Sequence, residues 1–401
     1  MITVIGLGEH PPGERAVKAL VDAALVVGGR RHLEAVAPLL PLAHREIELR
    51  GDLTLALNAL AADPGPTVVL ASGDPGFFGI VRVLAERFGP EALRVVPAVS
   101  SVASAFARAG VSWDDAVVVS AHGRDPRVAV NVCRRYPKVA VLTSPAFGPA
   151  ALAGALCHFD RTFVVIEHAG AAAERVTTGT PAAIASKTFS DPNVVLCLDP
   201  EAPASAKAVR WPPGSAPQRW ALPEAAFDHR DGMITKAEVR ALALAWLGPG
   251  PGDLVWDIGA GSGAVAIEAA RLGAAVIAID ANPAQCNRVR ANAVRHGVPV
   301  EVVEGGASVV LHELPDPDAV FVGGGGPLLA GIVQVAAHRV RRVVVVTLAT
   351  VERVGPVCEI LAESGLEVEG TQLSAARLTP FTSGTRLSAT NPVFLLSGRR
   401  L

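Results

Sequence analysis

Short runs rich in valine and isoleucine alternate with Ala/Leu/Arg segments of helical period along almost the whole of this 401-residue sequence. Strand-like runs separated by helical segments are typical of parallel α/β sheets with helices on their faces. The alternation therefore predicts the α/β class. In the first half, the apolar runs occupy residues 2–5, 24–27, 67–71, 93–96, 116–119, 139–142, 162–166 and 194–198.

The alternation stops between residues 199 and 224, in a segment rich in proline, alanine and serine that has no clear period. Such a composition is typical of a linker or a wrapping segment. Because 401 residues are also too many for one ordinary core, we predict domains at 1–200 and 223–401, with a linker at 201–222. The second domain has a helical stretch from Thr235, then apolar runs at 254–256, 275–279, 300–303, 319–322 and 343–348.

Composition narrows the possible partners. The formal net charge is only −2 and 50% of the residues are hydrophobic, which favours neither nucleic acid nor an anionic membrane as a partner. No apolar run is long enough to span a bilayer, and the strand-like start ITVIGLG leaves no room for a signal peptide, so we expect a cytoplasmic protein. The 5 cysteines are scattered without CxxC spacing, which favours neither disulfides nor zinc.

A glycine loop, Asp257-Ile-Gly-Ala-Gly-Ser-Gly263, closes one apolar run and opens an alanine-rich helical segment. Glycines let the backbone approach a ligand closely, and a helix N-terminus directs free N–H groups towards it. Nicotinamide dinucleotides use a similar turn, but a carboxylate before the first glycine suits the ammonium of S-adenosylmethionine better than a diphosphate. Asp280, at the end of the next run, is placed to bind both ribose hydroxyls. Helix capping is the alternative role for both carboxylates.

Small residues follow the next two strands of the same half. Gly306 and Ala307 leave space for an adenine ring, and Gly323 to Gly326 end the fourth strand, where a flat acceptor could approach the donor. A tight turn is the alternative explanation of the four glycines. The predicted cofactor residues of this half are Asp257, Gly259, Gly261, Gly263, Asp280, Gly306, Ala307 and Gly323, and Gly324 and Gly325 are predicted to contact the acceptor.

The first half also carries glycine turns after strands. Gly6 and Gly8 follow the first run, but His10-Pro11-Pro12 prevents a helix from starting at once, which makes a dinucleotide site a poor fit. Other polar residues here have ordinary structural alternatives: a turn for Gly73-Asp74, a helix cap for Ser100 and Ser101, and a structural role for His122.

The stretch His229-Arg-Asp-Gly-Met-Ile-Thr-Lys236, with the Asp257 loop and the Phe321–Gly326 run, resembles the decarboxylating precorrin methyltransferases of cobalamin biosynthesis over about residues 224–401. Four motifs in order give residues 1–200 a resemblance to the tetrapyrrole methylase family: ALVVGGRRHL, GDPGFFG, PAVSSVASAFARAG and AHGRD. Gly8-Glu9-His10 replaces that family's usual Gly-Pro-Gly. The resemblance implies a two-lobed tetrapyrrole methylase fold followed by a Rossmann-type S-adenosylmethionine-dependent methyltransferase fold.

Together, the two resemblances imply methyl transfer to carbons 5 and 15 of a precorrin and loss of carbon dioxide from its ring-C (C12) acetate. Carbon 5 is assigned to the first half, and carbon 15 with decarboxylation to the second. They also imply S-adenosylmethionine as the methyl donor and self-association through the C-terminal domain, and they imply no metal. For the first half, the resemblance implies that the cofactor residues are Gly6, Gly8, Gly73, Asp74, Ser100 and Ser101. Cationic side chains suit a substrate with many carboxylates. We predict Arg240, Arg30 and Arg124 as substrate-binding residues, and Arg230, Thr235, Lys236 and His122 as catalytic residues.

Three other functions compete with this one. The chain could be a methyltransferase acting on another small molecule or a protein, a nicotinamide oxidoreductase, or a non-catalytic module that kept the folds. Neither glycine turn has the full dinucleotide spacing with an immediate helix. A nucleic-acid amino-methyltransferase would carry an Asn-Pro-Pro-aromatic motif at the fourth strand, whereas Asn391-Pro-Val-Phe394 lies near the C-terminus, in a predicted strand.

Overall fold

The computed structural model describes residues 1–50, 53–171, 173–201, 220–230 and 232–401. The chain divides into two compact units, which we call the N-terminal unit (1–124 and 138–201) and the C-terminal unit (125–137 and the described residues from 220). Residues 202–219 of the predicted linker lie outside the described residues. Within the described ranges, no helix is both long and apolar enough to cross a membrane.

The N-terminal unit begins with a five-stranded, fully parallel sheet in the order β3-β2-β4-β1-β5. Its three central strands, β1, β2 and β4, are buried on both faces because helices cover them, which explains their continuous Val/Ile runs. The strands are β1 Ile2–Leu7, β2 Leu25–Gly28, β3 Arg45–Glu48, β4 Thr67–Ser72 and β5 Leu93–Val96, and the helices are α1 Glu14–Val21, α2 Arg30–Val36, α3 Thr54–Ala62, α4 Val81–Phe88 and α5 Ser101–Ala109.

A second five-stranded sheet of the same unit has the order β6-β7-β10-β8-β9. Only β6 and β7 are parallel; the other pairs are antiparallel, so the predicted all-parallel pattern is wrong here. The short connection from β8 to β9 leaves no room for a crossover helix, which a parallel pair requires. The elements are β6 Val117–Ser120, α6 Pro126–Arg135 (grouped with the C-terminal unit), β7 Lys138–Leu142, α7 Pro149–Gly154, β8 Thr162–Glu167, β9 Arg175–Gly179, α8 Pro181–Ala185 and β10 Asn193–Leu198.

The C-terminal unit contains a seven-stranded sheet in the order β13-β12-β11-β14-β15-β19-β16 and a separate hairpin, β17–β18. β19 runs antiparallel to both of its neighbours, β15 and β16, and the five strands from β13 to β15 in this order pair in parallel. The elements are α9 Ala237–Leu247, β11 Leu254–Ile258, α10 Ala264–Arg271, β12 Ala275–Asp280, α11 Pro283–His296, β13 Glu301–Glu304, α12 Ala307–Val310, β14 Ala319–Val322, α13 Leu329–Arg339, β15 Val343–Leu348, α14 Val354–Glu363, β16 Glu367–Leu373, β17 Ala376–Phe381, β18 Gly384–Ala389 and β19 Val393–Arg399.

The strand order reverses at β11, which lies between β12 and β14. In open α/β sheets, a crevice forms outside the carboxyl ends of the strands at such a reversal. The two loops that leave β11 and β14 meet there because both are glycine-rich: a Cβ on Gly259 would lie 2.9 Å from the Gly324 nitrogen. The fold therefore brings the first glycine loop and the four-glycine run side by side.

Candidate functional sites

The crevice of the C-terminal unit opens into a cavity of about 750 Å³. Predicted residues from three separate parts of the sequence line it. These are Thr235 and Lys236 before α9, Asp257, Gly259 and Gly261 at the end of β11, and Gly323 after β14. The structure therefore brings together four of the eight donor residues and two of the catalytic residues expected from the sequence for this unit.

The three glycines of the Asp257 loop share an unusual backbone conformation but differ in what surrounds them. Gly259, Gly261 and Gly263 all have φ between +57° and +73°, a region that favours glycine. A Cβ on Gly263, the N-cap of α10, would collide with Val289, whereas one on Gly261 would meet nothing within 4 Å. Gly263 is thus needed for packing and does not line the cavity, while Gly261 leaves open space beside it.

Asp257 is the most unusual polar residue of the cavity. Its carboxylate is 1% exposed; Oδ2 accepts a hydrogen bond from the Ala266 N–H in the first turn of α10 (2.9 Å). Oδ1 is buried and has no hydrogen-bond partner among the described residues. Burial raises the pKa of Asp257 to about 7, against a smaller opposing effect of the Ala266 N–H. A buried oxygen without a donor is costly, so this position is suited to receive a cation or N–H donor from a ligand.

Asp280 ends β12 and holds the glycine loop in place. Its Oδ2 accepts the Gly261 N–H and its Oδ1 accepts the Asn282 N–H, both at 2.9 Å. Each oxygen retains acceptor capacity, because a carboxylate oxygen has two lone pairs. The Asp280 side chain does not line the cavity of the C-terminal unit.

The HRDGMITK stretch contributes only part of its length to the cavity. Lys236 lines it and donates from Nζ to the Gly232 carbonyl (3.1 Å). Arg230 is exposed, contacts the Met233 sulfur through a guanidinium nitrogen at 3.4 Å, and does not line the cavity. Residue 231 lies outside the described residues.

Arg240 does not occupy the substrate-binding position predicted for it. Its side chain is completely buried and pairs with the equally buried Glu268 (Nε to Oε1, 2.7 Å). The guanidinium also donates to the carbonyls of Thr235 and Leu222 and lies over the Phe227 ring. Since the side chain is fully buried and each of its three nitrogens donates inside the fold, Arg240 holds the segment leading to Thr235 against α10 and is not available to a substrate carboxylate.

Other predicted residues of this unit lie outside the cavity. Gly306 caps the four-residue α12, and Ala307 begins it. Gly324 and Gly325 pack against Gly259 and Leu329, respectively, which supports the tight-turn explanation for that part of the glycine run.

A second cavity, of about 690 Å³, lies in the N-terminal unit between its two sheets. Five predicted residues line it: Gly8, Gly73, Ser101, His122 and Arg124. They follow the carboxyl ends of β1, β4, β5 and β6, so both lobes of this unit contribute.

Four predicted residues of this unit do not line the cavity. Gly6 lies where a Cβ would overlap the Gly73 carbonyl oxygen. Asp74 Oδ1 accepts the Gly76 N–H (2.9 Å) and Ser100 Oγ accepts the Ala103 N–H (3.1 Å), as expected for a turn residue and a helix cap. Arg30 is exposed beside Glu34, with 3.3 Å between Nε and Oε1, in a separate depression with Glu46 and Glu48. The carboxylates beside Arg30 disfavour a substrate carboxylate at this position, and the predicted binding role of Arg30 stays a prediction.

Arg31 forms a cluster on the cavity wall with His32 and Ser72, two residues that the sequence did not single out for the site. Both Arg31 and His32 hydrogen-bond the Ser72 hydroxyl, at 2.6 and 3.0 Å. Burial, reinforced by the Arg31 charge, lowers the pKa of His32 to about 4, so its imidazole is neutral near pH 7. The GGRRH sequence gave no indication that Arg31, and not Arg30, faces the cavity.

Comparison with known proteins identifies both units separately. Residues 1–185 match the family described as tetrapyrrole (corrin/porphyrin) methylases, and residues 225–399 match the precorrin methyltransferase domain. A precorrin-6Y C(5,15)-methyltransferase [decarboxylating] of Sinorhizobium sp. is 39% identical over 336 residues, which cover 81% of this chain and 78% of the relative. The chain belongs to the family of decarboxylating precorrin-6Y C(5,15)-methyltransferases. The fold class and family expected from the sequence are thereby confirmed.

Two further relatives are similar to less than half of this chain. A probable cobalt-precorrin-6B C(15)-methyltransferase (decarboxylating) of Pyrobaculum calidifontis is 37% identical, covering 44% of this chain and 94% of the relative. A cobalt-precorrin-7 C(5)-methyltransferase of Salmonella typhimurium is 36% identical, covering 38% of this chain and 76% of the relative. As a member of the precorrin-6Y C(5,15)-methyltransferase family, the chain is a methyltransferase of cobalamin biosynthesis.

The structure also places residues in the methyltransferase site that sequence reasoning left out. Thr390 and Asn391, between β18 and β19, line the C-terminal cavity. Buried Asn292 joins the two motifs of this unit, since its amide donates to the carbonyls of Asp228 and Ser262 (both 2.9 Å). Asn391 was predicted to lie in a strand, but it precedes β19. No sequence spacing relates these residues to the glycine loop, because β19 enters the sheet out of chain order.

Proposed function

We propose that each unit binds its own molecule of S-adenosylmethionine, the donor that methyltransferases of this family use. The C-terminal unit methylates carbon 15 of precorrin-6Y/6B and removes the ring-C (C12) acetate carboxylate. The N-terminal unit methylates carbon 5, and the final product is precorrin-8. The relatives named for a C(15) and for a C(5) reaction separately support this division.

The observation that carries the donor assignment is the unpartnered Oδ1 of Asp257 beside the cavity. An ammonium group next to this oxygen supplies the missing donor and favours the ionised carboxylate, offsetting the cost of its burial. The open space beside Gly261 and the absence of a side chain at Gly323 allow close approach of donor and acceptor to the backbone. Asp280, already oriented by the Gly261 N–H, has acceptor capacity left for ribose hydroxyls.

Methyl transfer needs little acid–base help from this chain. The ring carbon supplies the electron pair for the new C–C bond, and the electrons of the broken S–C bond stay on sulfur. The chain's contribution is positioning, which can lower a barrier by roughly 7–11 kcal/mol when the reacting atoms are held in line and close together. In decarboxylation, the electron pair of the broken C–C bond passes into the conjugated macrocycle.

Lys236 and Thr235 are the candidate groups for orienting the acetate in the C-terminal cavity, which both line. The Lys236 ammonium uses one of its three donors on Gly232, so two are available to a carboxylate. His122 and Arg124 line the N-terminal cavity. There, Arg124 is the candidate for binding a substrate carboxylate, and His122 is the candidate for proton exchange with the ring.

We also propose self-association through the C-terminal unit. The β17–β18 hairpin pairs only with itself among the described strands, and it exposes Leu378, Phe381 and Leu387 by 75%, 59% and 69%. Exposed apolar side chains on one hairpin are typical of a protein–protein contact. The cytoplasmic location expected from the sequence remains a prediction.

The test is incubation of the full chain with precorrin-6B and methyl-labelled donor, with analysis of product mass and of the labelled carbons. We expect two methyl groups gained and one carbon dioxide lost. In Asp257→Ala, any methyl group still transferred should be on carbon 5. Label on carbon 15 in that variant would contradict the division, and an unchanged precorrin with the unaltered chain would overturn the proposed function.

A further inference from the structure

The phenyl ring of Phe78 lies on the wall of the N-terminal cavity and is 48% exposed. Its backbone has φ +54°, a region that bulky residues rarely adopt and that costs free energy unless the surroundings hold it. His168 on the same cavity wall has φ +50°. Strained residues of this kind concentrate at binding and catalytic sites, so the orientation of the Phe78 ring is a candidate functional feature.

The ring is supported from one side. Phe77 meets it edge-to-face, with 5.0 Å between ring centroids, and Phe77 itself packs against the core of the second sheet. The Arg124 guanidinium lies 5.7 Å from the Phe78 centroid, within range of a cation–π contact. Phe78 is therefore held between a packed aromatic ring and a cation while it remains accessible from the cavity.

Arginine side chains line the same cavity as this ring. Arg31, Arg82 and Arg124 all line the cavity, and none of the three forms an ion pair with a carboxylate in the described part of the chain. A cavity that combines an exposed aromatic face with guanidinium groups that have no carboxylate partner is complementary to a planar π-system with carboxylates at its edge. An aliphatic or cationic ligand would not use both features.

We propose that Phe78 is a substrate-binding residue of the N-terminal unit: its ring stacks on one face of the conjugated tetrapyrrole, and Arg124 pairs with a peripheral carboxylate. This inference rests on the proposed carbon-5 reaction. Stacking holds the macrocycle in a defined plane, while the guanidinium fixes its rotation within that plane. The pair thus selects which edge of the ring faces the donor.

The test uses the full chain with Phe78→Leu, which keeps an apolar side chain and the same backbone constraint but removes the aromatic face. With saturating donor, we expect the KM for the precorrin in carbon-5 methylation to rise about two- to tenfold, the range that an aromatic pair supplies. The kcat and the KM for the donor should not change. In Phe78→Tyr, which keeps an aromatic ring, the KM for the precorrin should stay within about twofold of that of the unaltered chain.

Trp220→Leu is the control because this exposed aromatic side chain, in the other unit, lines neither cavity. It should leave the carbon-5 KM unchanged, and carbon-15 methylation by Phe78→Leu should match that of the unaltered chain. A carbon-5 KM unaffected by Phe78→Leu, or raised equally by both leucine variants, overturns the role of Phe78 alone. If the unaltered chain places no methyl group on carbon 5, both this inference and the proposed carbon-5 function fail.

Discussion

Arg240 and Glu268 form an ion pair from which water is completely excluded, with 2.7 Å between Nε and Oε1. Glu268 Oε1 also accepts the Leu222 N–H, and the guanidinium donates to the Leu222 and Thr235 carbonyls. The pair thus joins α10 to the segment that carries Thr235 and Lys236. A buried pair of this kind makes the shape of the C-terminal cavity depend on residues that do not touch it.

Removing one partner of this pair should destabilise the C-terminal unit. Arg240→Ala leaves a buried, uncompensated carboxylate, so we expect the free energy of unfolding to fall by about 3–5 kcal/mol. Denaturant unfolding of the full chain, followed by a probe of the C-terminal transition, measures this loss. Arg290→Ala, an exposed arginine on α11 of the same unit, is the control and should change stability by less than about 0.5 kcal/mol. Equal effects of the two changes would contradict the structural role of Arg240.

Asp257→Ala should abolish donor binding in the C-terminal unit only. Calorimetric titration with S-adenosylhomocysteine should show two sites in the unaltered chain and one in the variant, because the N-terminal cavity contains no part of the Asp257 loop. Loss of both sites in a folded variant would contradict two independent donor pockets.

The pKa of Asp257 predicts an unusual dependence of stability on pH. Because burial raises this pKa from 3.8 to about 7, the folded chain binds the proton more tightly than the unfolded chain. The donor-free C-terminal unit should therefore lose stability as pH rises from about 4 to about 7. Asp257→Asn should remove this contribution, which the difference in unfolding free energy between the two proteins across that pH range would reveal. Identical pH profiles would show that Asp257 is ionised throughout.

Arg124 and Arg30 should behave differently although both were predicted from the sequence to bind substrate. Arg124→Gln should raise the precorrin KM for carbon-5 methylation by about tenfold, as expected from loss of one charge-assisted hydrogen bond. Arg30→Gln should leave it within about twofold, because Arg30 faces Glu34 outside the cavity. Steady-state kinetics with saturating donor tests both, and the reverse ranking would restore the prediction for Arg30.

The exposed apolar side chains of the β17–β18 hairpin predict that this hairpin contributes to self-association. Replacing Leu378 and Leu387 together with serine should reduce the oligomeric mass, because these side chains expose apolar surface on a hairpin with no partner strand among the described residues. Light scattering after size-exclusion chromatography gives the mass, and the Leu42→Ser variant, an exposed leucine of the N-terminal unit, serves as control. An unchanged mass would place self-association elsewhere.

Local patterns predicted much of the fold. The predicted apolar runs at 67–71 and 343–348 correspond to β4 and β15 in the structure. Such runs are easy to recognise because strands buried on both faces need continuous apolar residues. β3 and β9 were missed, since edge strands such as Arg45–Glu48 and Arg175–Gly179 are partly exposed and lack an apolar run. The antiparallel pairing of the second sheet depends on connections that hydrophobic periodicity does not encode.

The sequence by itself determined the family, the α/β class and the glycine turn after Asp257, because these depend on composition, period and residues adjacent along the chain. Tertiary structure alone decided that Arg31 and not Arg30 lines the N-terminal cavity and that Arg240 forms a buried ion pair with Glu268. It also decided that one oxygen of Asp257 has no hydrogen-bond partner among the described residues. Burial and pairing depend on which side chains from distant segments meet in space, and the same arginine is a ligand contact or an internal brace according to what lies opposite it.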